Sequence, residues 1–397
     1  MSFKYTVVIP CRNRQRYCVE AIQSVTQHER DDVQIIVLDN SDDGTLKTLL
    51  EEQQLLEKVT YLPPEDEVLS MDNNWERAID LIEGEWTNFI GDDDGFTPNT
   101  LGAFDFLVGK YNFRAFRWNL FSYKWPCYPT LLAGRFNYAV HDTTAHVFET
   151  KVELEQAFTW QTGDKWPRLG PSVYHGLVDS SLVKEIKTDY GKYFVDPCTD
   201  YASSLLNAAR IDAYMKYGYP LTVMGACKPS NTALQTGITS SAHRKEVNTF
   251  YTHKHKDLKG SNLLAPAVAE SFANIFSYLK MDFKIAPEKL AQSCFNELTK
   301  IREPNTFNNA KKALVKYAKK SGLNTTPIES LKCRPGLSPL GYFKDTQQLY
   351  IDTMKLSVSG IIDLGNFISA LQLSFDEDGF HQQLYQSIKK QRQDLCR

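Results

Sequence analysis

At 397 residues, with 42% hydrophobic and 23% charged residues, the sequence has the make-up of an ordinary globular protein with room for two domains. A formal net charge of -3 excludes a global pull towards nucleic acid, and no RNA- or DNA-binding motif stands out. Eight cysteines without a C-x-x-C pair argue against a zinc ribbon or a disulfide framework, and no apolar run approaches the roughly 20 residues of a transmembrane helix.

In chain order, Tyr5 to Ile9 reads as a buried parallel strand ending at Pro10, and Val19 to Val25 as part of a helix. Val33 to Leu38 predicts a second strand, followed by Leu46, Leu49 and Leu50 at helical spacing. Val59 to Leu62 predicts a third strand, and Trp75, Ala78, Ile79 and Ile82 a helix ended by Gly84. Trp86 to Ile90 is then a fourth strand. This alternation implies a doubly wound sheet, in which ligands bind outside the carboxyl ends of the strands. Arg12, Asp39 and Asp94 therefore fall on one edge.

Between Tyr111 and Trp166 the sequence is rich in aromatics, and short strands with long loops are expected. Trp118, Trp125 and Trp166 are candidates for stacking on a ligand ring, although most such aromatics are core. Thr199 reads as an N-cap with Asp200 opening a helix. Beyond about residue 245 the pattern is helical, with apolar stripes at Val268, Phe272, Ile275, Phe276 and Leu279, and at Leu290, Cys294, Phe295, Leu298 and Ile301. The joint is expected in the polar stretch from Asn248 to Ser261.

The run Asn88-Phe89-Ile90-Gly91-Asp92-Asp93-Asp94-Gly95 places three carboxylates in succession after an apolar strand. Something must offset that charge. A hard divalent cation, Mn²⁺ or Mg²⁺, is the natural partner, since it takes oxygen ligands and commonly binds through one or two carboxylates and a substrate's phosphates. A solvated acidic turn is the alternative.

With these pieces in order, the first half of the chain resembles the GT-A glycosyltransferases, and glycosyltransferase family 2 in particular. The resemblance rests on Thr6-Val7-Val8-Ile9-Pro10 with Asn13-Arg14, on Val37-Leu38-Asp39-Asn40-Ser41 with Asp43-Gly44-Thr45, on Asn74 with Gly84-Glu85, and on Gly91-Asp92-Asp93-Asp94 with Pro98. It covers residues 1 to 110 well and 170 to 235 loosely. It implies an α/β, Rossmann-like GT-A domain over 1–247, with a nucleotide-sugar-binding half at 1–110 and an acceptor-side half at 111–247. A mainly helical C-terminal region would follow at 248–397.

The resemblance further implies a nucleotide-sugar donor, with Asp39 on the base, usually uracil, and Pro10, Arg12, Ser41, Asn74, Asp92 and Asp93 around the nucleotide sugar. Asp94 is the first choice for the metal contact and Asp92 the second. Many family members have an acid where this chain has Gly91. The catalytic base is expected at a helix start about a hundred residues later, which suggests Asp200, with Asp196 as the alternative; the helix dipole alone would also favour an acid there. A histidine often completes the metal site in this fold, and His243 is the nearest suitable one, with His175 and His253 behind it.

The expected function is metal-dependent, inverting transfer of a sugar from a nucleotide diphosphate, UDP above all, to a glycan or lipid-linked acceptor in surface polysaccharide synthesis. Two alternatives stand beside it: a sugar-nucleotide-forming nucleotidyltransferase, and a non-catalytic carbohydrate-binding or scaffold protein of the same fold. No secretory signal is visible, so a cytoplasmic location is expected. Lys311, Lys312, Lys316, Lys319 and Lys320 form a basic stretch that leaves peripheral contact with the inner membrane face open, against a solvated helix face as the simpler reading. Homo-oligomerisation through the C-terminal region is left open too.

Overall fold

The computed structural model describes residues 2–128, 133–139, 144–161, 167, 170–228, 256–258, 261, 263–301, 303–334, 348–352 and 360–373. Strand β1 (Tyr5–Cys11) is buried along its whole length, as its unbroken apolar and β-branched run requires of a central parallel strand. It pairs in parallel with β2 (Val33–Asp39) on one side and β4 (Trp86–Phe89) on the other. Strand β3 (Thr60–Leu62) extends the sheet beyond β2. Helices α1 (Gln15–Thr26) and α2 (Thr45–Glu52) follow β1 and β2, and their apolar residues Ile22, Val25, Leu46 and Leu50 share a core with Val7, Ile9 and Val37.

The helix expected from Trp75 to Ile82 is split. Helix α3 (Met71–Glu76) stops early, and a separate 3-10 turn spans Ile79–Leu81. The amides of Arg77 and Ala78 reach back only three residues, to Asn74 O at 3.3 Å and Trp75 O at 3.2 Å, so the α-helical ladder tightens and ends.

The second half of the sheet is mixed. Strands β5 (Gly95–Phe96), β6 (Ala115–Lys124), β7 (Arg135–Ala139), β8 (Ala145–Glu149), β9 (Gly176–Asp179), β10 (Ala213–Ala226) and β11 (Gln348–Asp352) complete it. The main path runs β11-β7-β6-β9-β4-β1-β2-β3, with β10 pairing β5, β6 and β8. Antiparallel β9 joins β4 to β6. The aromatic stretch thus supplies three strands, β6, β7 and β8. Trp118 and Trp125 are core residues, 2% and 3% exposed, rather than a sugar-stacking surface; Trp166 lies outside the described residues.

Helices α4 (Thr100–Lys110), α5 (Thr150–Phe158), α6 (Ser180–Tyr190) and α7 (Thr199–Ala208) flank this half. Helix α7 begins at Thr199 with Cys198 as its N-cap, one residue before the expected cap, and Asp196 accepts the Cys198 amide at 2.9 Å. The C-terminal region is helical as expected, with α8 (Ala265–Tyr278), α9 (Pro287–Leu298), α10 (Pro304–Lys320), α11 (Thr326–Ser330) and α12 (Ile361–Leu373). Both apolar stripes read from the sequence face inward. Phe272, Ile275, Phe276, Leu290, Cys294 and Leu298 join one continuous core with Val8, Phe89, Phe194 and Leu206.

Helix α12 packs elsewhere. Ile361, Leu364 and Ile368 lie with Phe121, Tyr123, Trp125, Phe136 and Val223, and the Ile361 amide donates to Glu20 Oε2 at 2.8 Å. The basic stretch on α10 is largely spoken for within the chain. Lys316 and Lys320 pair with Asp257, Lys319 pairs with Glu329, and Lys311 donates to the carbonyls of Glu329 and Leu331. No described helix is long and apolar enough to cross a membrane.

Candidate active site

The carboxyl edge of the parallel strands gathers the sequence-predicted residues. Pro10 has no amide to continue the ladder past Ile90, whose own amide donates to Val8 O at 3.1 Å. The strands part there, and residues 91–94 turn away across the edge.

Asp39, at the end of β2, is fully buried. Its Oδ1 accepts the Ser41 amide at 2.9 Å, an Asx turn, and its Oδ2 accepts the Tyr61 hydroxyl at 2.8 Å. Ser41 Oγ accepts the Asn13 amide at 3.1 Å, tying the loops after β1 and β2 together. Arg12 reaches along the same edge, its Nη1 donating to Asn40 O at 2.6 Å and Asp42 Oδ1 at 2.7 Å. Asn74 is buried and accepts from Arg77 at 3.1 Å, while the same Arg77 nitrogen donates to Asp39 O at 3.0 Å. Asn74 thus meets the edge through Arg77.

The charge problem posed by the acidic run has an answer within the chain. Arg14 lays its guanidinium across the first two carboxylates: Nε donates to Asp92 Oδ2 at 3.0 Å, Nη2 lies 2.5 Å from Asp92 Oδ1, and Nη1 donates to Asp93 Oδ1 at 3.0 Å. The Arg12 amide adds a bond to Asp92 Oδ2 at 3.1 Å. Burial pushes the Asp92 carboxyl up to about 7, with Arg14 pulling the other way, and burial raises Asp93 too. Asp93 is further held by the Cys227 amide at 3.1 Å, and its carbonyl accepts Trp125 Nε1 at 3.0 Å.

Asp94 is separate. Its Oδ2 accepts the Gly91 amide and the Tyr174 hydroxyl, both at 2.7 Å, and lies 3.0 Å from His175 Nε2; its Oδ1 accepts the Gly225 amide at 2.8 Å. Burial opposes ionisation here, but His175 and these donors outweigh it and hold the carboxyl below its usual range. The absence of a side chain at Gly91 follows from this geometry, since a Cβ there would stand 2.8 Å from Asp94 Oδ2. Gly225 is likewise required, because a Cβ on it would run into the Asp93 carbonyl.

Asp200 sits in the first turn of α7. Burial pushes its carboxyl up to about 6, with His175 and Arg117 the nearest positive influences and Asp94 a negative one, so the strand-end acids and the helix-start acid share one electrostatic environment. The alternative, Asp196, is engaged in structure: it caps Cys198 and accepts Asn274 Nδ2 of α8 at 2.9 Å.

A divalent cation was expected at this edge. Among the described residues no three His, Cys, Asp or Glu side chains converge as a metal set. Among the described residues Asp94 Oδ1 accepts the Gly225 amide and keeps a lone pair for a cation, whereas both oxygens of Asp92 face Arg14. The donor set therefore fits a cation held by one carboxylate together with substrate oxygens. His243 and His253 lie outside the described residues; the histidine beside Asp94 is His175. Sequence reasoning missed Arg14 as the counter-charge, though it lies three residues past β1 on the same edge. It also missed Tyr174 and Gly225, for which no local signal exists.

The fold class is α/β of the GT-A type with a helical C-terminal region. Residues 6–104 match the family model described as Glycosyl transferase family 2, so the resemblance drawn from the motifs is borne out over that stretch. A curated relative, the GalNAc(5)-diNAcBac-PP-undecaprenol beta-1,3-glucosyltransferase of Campylobacter jejuni subsp. jejuni, is 30% identical over 110 residues, or 28% of this chain. The chain spans 35% of that relative's length. Among solved structures, S. aureus TarS 1-349 in complex with UDP-GlcNAc is similar at a TM-score of 0.43 and 15% identity, covering 81% of this chain and 93% of that one. Mannosyltransferase PcManGT from Pyrobaculum calidifontis in complex with GDP-Man and Mn²⁺ is similar at a TM-score of 0.42 and 13% identity, covering 83% and 78%.

Proposed function

We propose that the chain is an inverting glycosyltransferase that moves a sugar from a nucleotide diphosphate, a UDP-sugar in the first instance, to a hydroxyl of a glycan or lipid-linked acceptor in surface polysaccharide synthesis. The observation that supports this reading is that Asp39 and Asp94 lie at the carboxyl ends of parallel strands within a family 2 segment, while Asp200, at the start of α7, is close enough to Asp94 to feel its charge. The undecaprenol-linked name of the Campylobacter relative supports a lipid-linked acceptor.

In this reading Asp39, whose carboxylate is oriented by the Ser41 amide and the Tyr61 hydroxyl, receives the base, and Arg12 lies beside the nucleotide. Asp94 would hold Mn²⁺ or Mg²⁺, which when bound stabilises the negative charge of a departing diphosphate. Asp200 takes the acceptor's proton as its oxygen attacks the anomeric carbon. A carboxyl raised to about 6 is ionised at neutral pH yet basic enough for that task. Arg14 is the counter-charge shared by Asp92 and Asp93, which leaves Asp94 as the acid of the run without an arginine on it.

A thermal-shift screen of UDP-, GDP-, CMP- and dTDP-sugars with and without Mn²⁺ tests the reading, because a ligand that binds the native state raises its stability with the logarithm of its concentration. A Tm rise with UDP-sugars, followed by release of UDP on adding acceptor, is expected. Binding without nucleoside diphosphate release from any donor would instead favour the non-catalytic alternative.

A further inference from the structure

The two acids given separate tasks above, Asp94 and Asp200, are joined by a continuous thread of hydrogen bonds through residues 170–175. At one end, Tyr174 Oη donates to Asp94 Oδ2 at 2.7 Å and His175 Nε2 stands 3.0 Å from the same oxygen. In the middle, the segment is registered against the end of β4: the Phe89 amide donates to Val173 O at 2.9 Å and the His175 amide to Phe89 O at 3.0 Å. At the other end it is pinned to α7. Ser172 Oγ meets Ser203 Oγ at 2.9 Å, the Gly170 amide donates to Ser204 Oγ at 2.5 Å, and Asn207 Nδ2 donates to Pro171 O at 2.6 Å. Ser203 Oγ also donates to the Asp200 carbonyl at 3.2 Å, and Ser172 Oγ accepts the Tyr174 amide at 3.1 Å.

All three α7 partners, Ser203, Ser204 and Asn207, are buried, where an unmade hydrogen bond is costly, so each bond resists slippage. His175 adopts φ 49°, a left-handed conformation that a non-glycine residue takes only when its surroundings impose it. Its ring is fixed on the far side by Nδ1 at 2.9 Å from Thr222 Oγ1, which also accepts Trp118 Nε1 at 2.8 Å.

We propose that residues 170–175 are a ruler that sets the position of Asp200 relative to Asp94, with Tyr174 and His175 as positioning residues at the strand-end acid and Ser203 as the positioning residue at the helix-start acid. Its consequence for turnover rests on the transferase reading; the mechanical coupling does not. The segment makes no bond to be broken in the reaction. Its work is to hold two groups from distant parts of the sequence at a fixed separation, and a misplacement of about 1 Å is enough to cost on the order of a hundredfold in rate.

The experiment is hydrogen–deuterium exchange on the full chain carrying Ser203→Ala, read at the Gly91 and Gly225 amides that Asp94 accepts. A ruler predicts exchange at both amides faster on the order of tenfold, although neither residue touches Ser203. The reverse arm is Tyr174→Phe, which keeps the ring and removes the hydroxyl, read at the Tyr201 and Ala202 amides that bond to Cys198 O in the first turn of α7. It keeps the test decisive should one variant fail to fold. In transfer assays each single variant should lower kcat on the order of tenfold, and the double variant by less than the product, since both break one link. Unchanged exchange at the remote amides in a folded variant, or strictly multiplicative kcat losses, would overturn the ruler. A wild-type protein that turns over no sugar nucleotide would overturn the transferase reading alone, with exchange still deciding the coupling.

Discussion

The Gly91 amide donates to Asp94 Oδ2 at 2.7 Å, so the acidic run closes on itself and its last carboxylate folds back over its first residue. That closure explains why an acid, common at this position in the resembling family, is absent. A Cβ at residue 91 would stand 2.8 Å from the same oxygen and 3.4 Å from Tyr174 Oη. Gly91→Ala should therefore lower stability by about 1–3 kcal/mol, the usual cost of overpacking. Gly91→Asp should cost more, because it adds a like charge. Denaturant titration of the three proteins checks the ranking, and a Gly91→Asp variant as stable as the parent would show that the closure does not matter.

Arg14 is the counter-charge shared by Asp92 and Asp93, and its removal should be felt as a pH-dependent loss. Arg14→Gln leaves two buried carboxylates without their cation, a change of about 3–5 kcal/mol in stability for a broken buried pair. The sign with pH follows from linkage. Asp92 in the folded protein titrates near 7, above the ordinary value of 3.8, so the folded state holds more protons and stability falls as pH rises from about 4 towards 7. Without Arg14 the folded carboxyls rise further and the fall steepens. The deficit of Arg14→Gln relative to the parent should be largest above pH 7 and shrink towards pH 4, as read from Tm across that range. A deficit independent of pH would mean that Arg14 acts by packing alone.

Asp200 offers a test in which stability and activity move in opposite directions. As a base it works ionised, so kcat/KM should fall below about pH 6 in the parent, and Asp200→Asn should lose at least a hundredfold in transfer while still binding donor. Its raised carboxyl destabilises the fold as pH climbs from about 4 to 6, and the amide removes that term. Asp200→Asn should accordingly show a higher Tm than the parent at pH 7.5, with the gap closing below pH 4. Equal Tm values and unimpaired transfer would assign Asp200 to helix-dipole stabilisation.

Much of this arrangement was legible in the chain, and the legible part was local. Period and punctuation gave β1, β2, β4 and the stripes of α8 and α9, because each buries a face that its own residues define. Asp39 and Asp200 stood out because one ends a strand and the other opens a helix, and Asp94 because it closes the acidic run after β4. The helix after Met71 was read too long, since its apolar spacing continues past Glu76 while its amides switch to three-residue bonds. Tyr174, Gly225 and Ser203 were invisible for a different reason. Their partners lie 80, 131 and 31 residues away in the sequence, and nothing in a single chain's pattern announces so distant a pairing. Arg14 was within reach, since a cation three residues past β1 must lie on the edge where the acidic run emerges.

The two aspartates suggested for a cation are distinguished by their partners. Asp92 has Arg14 beside both oxygens, hydrogen-bonded to Oδ2 and in ion-pair contact with Oδ1, so adding a divalent ion there would place two cations on one carboxylate. Asp94 is already ionised in its surroundings and keeps one lone pair on Oδ1. Its neutral amide counterpart would present a weaker, uncharged oxygen to the ion. Asp94→Asn should thus abolish the additional Tm rise that Mn²⁺ gives to a UDP-sugar complex, and should lower transfer at least a hundredfold. Asp92→Asn should keep the Mn²⁺ increment. Isothermal titration of Mn²⁺ into the nucleotide-bound proteins separates the two. Loss of the Mn²⁺ increment in Asp92→Asn with retention in Asp94→Asn would reverse the assignment, and would require Arg14 to swing away when donor binds.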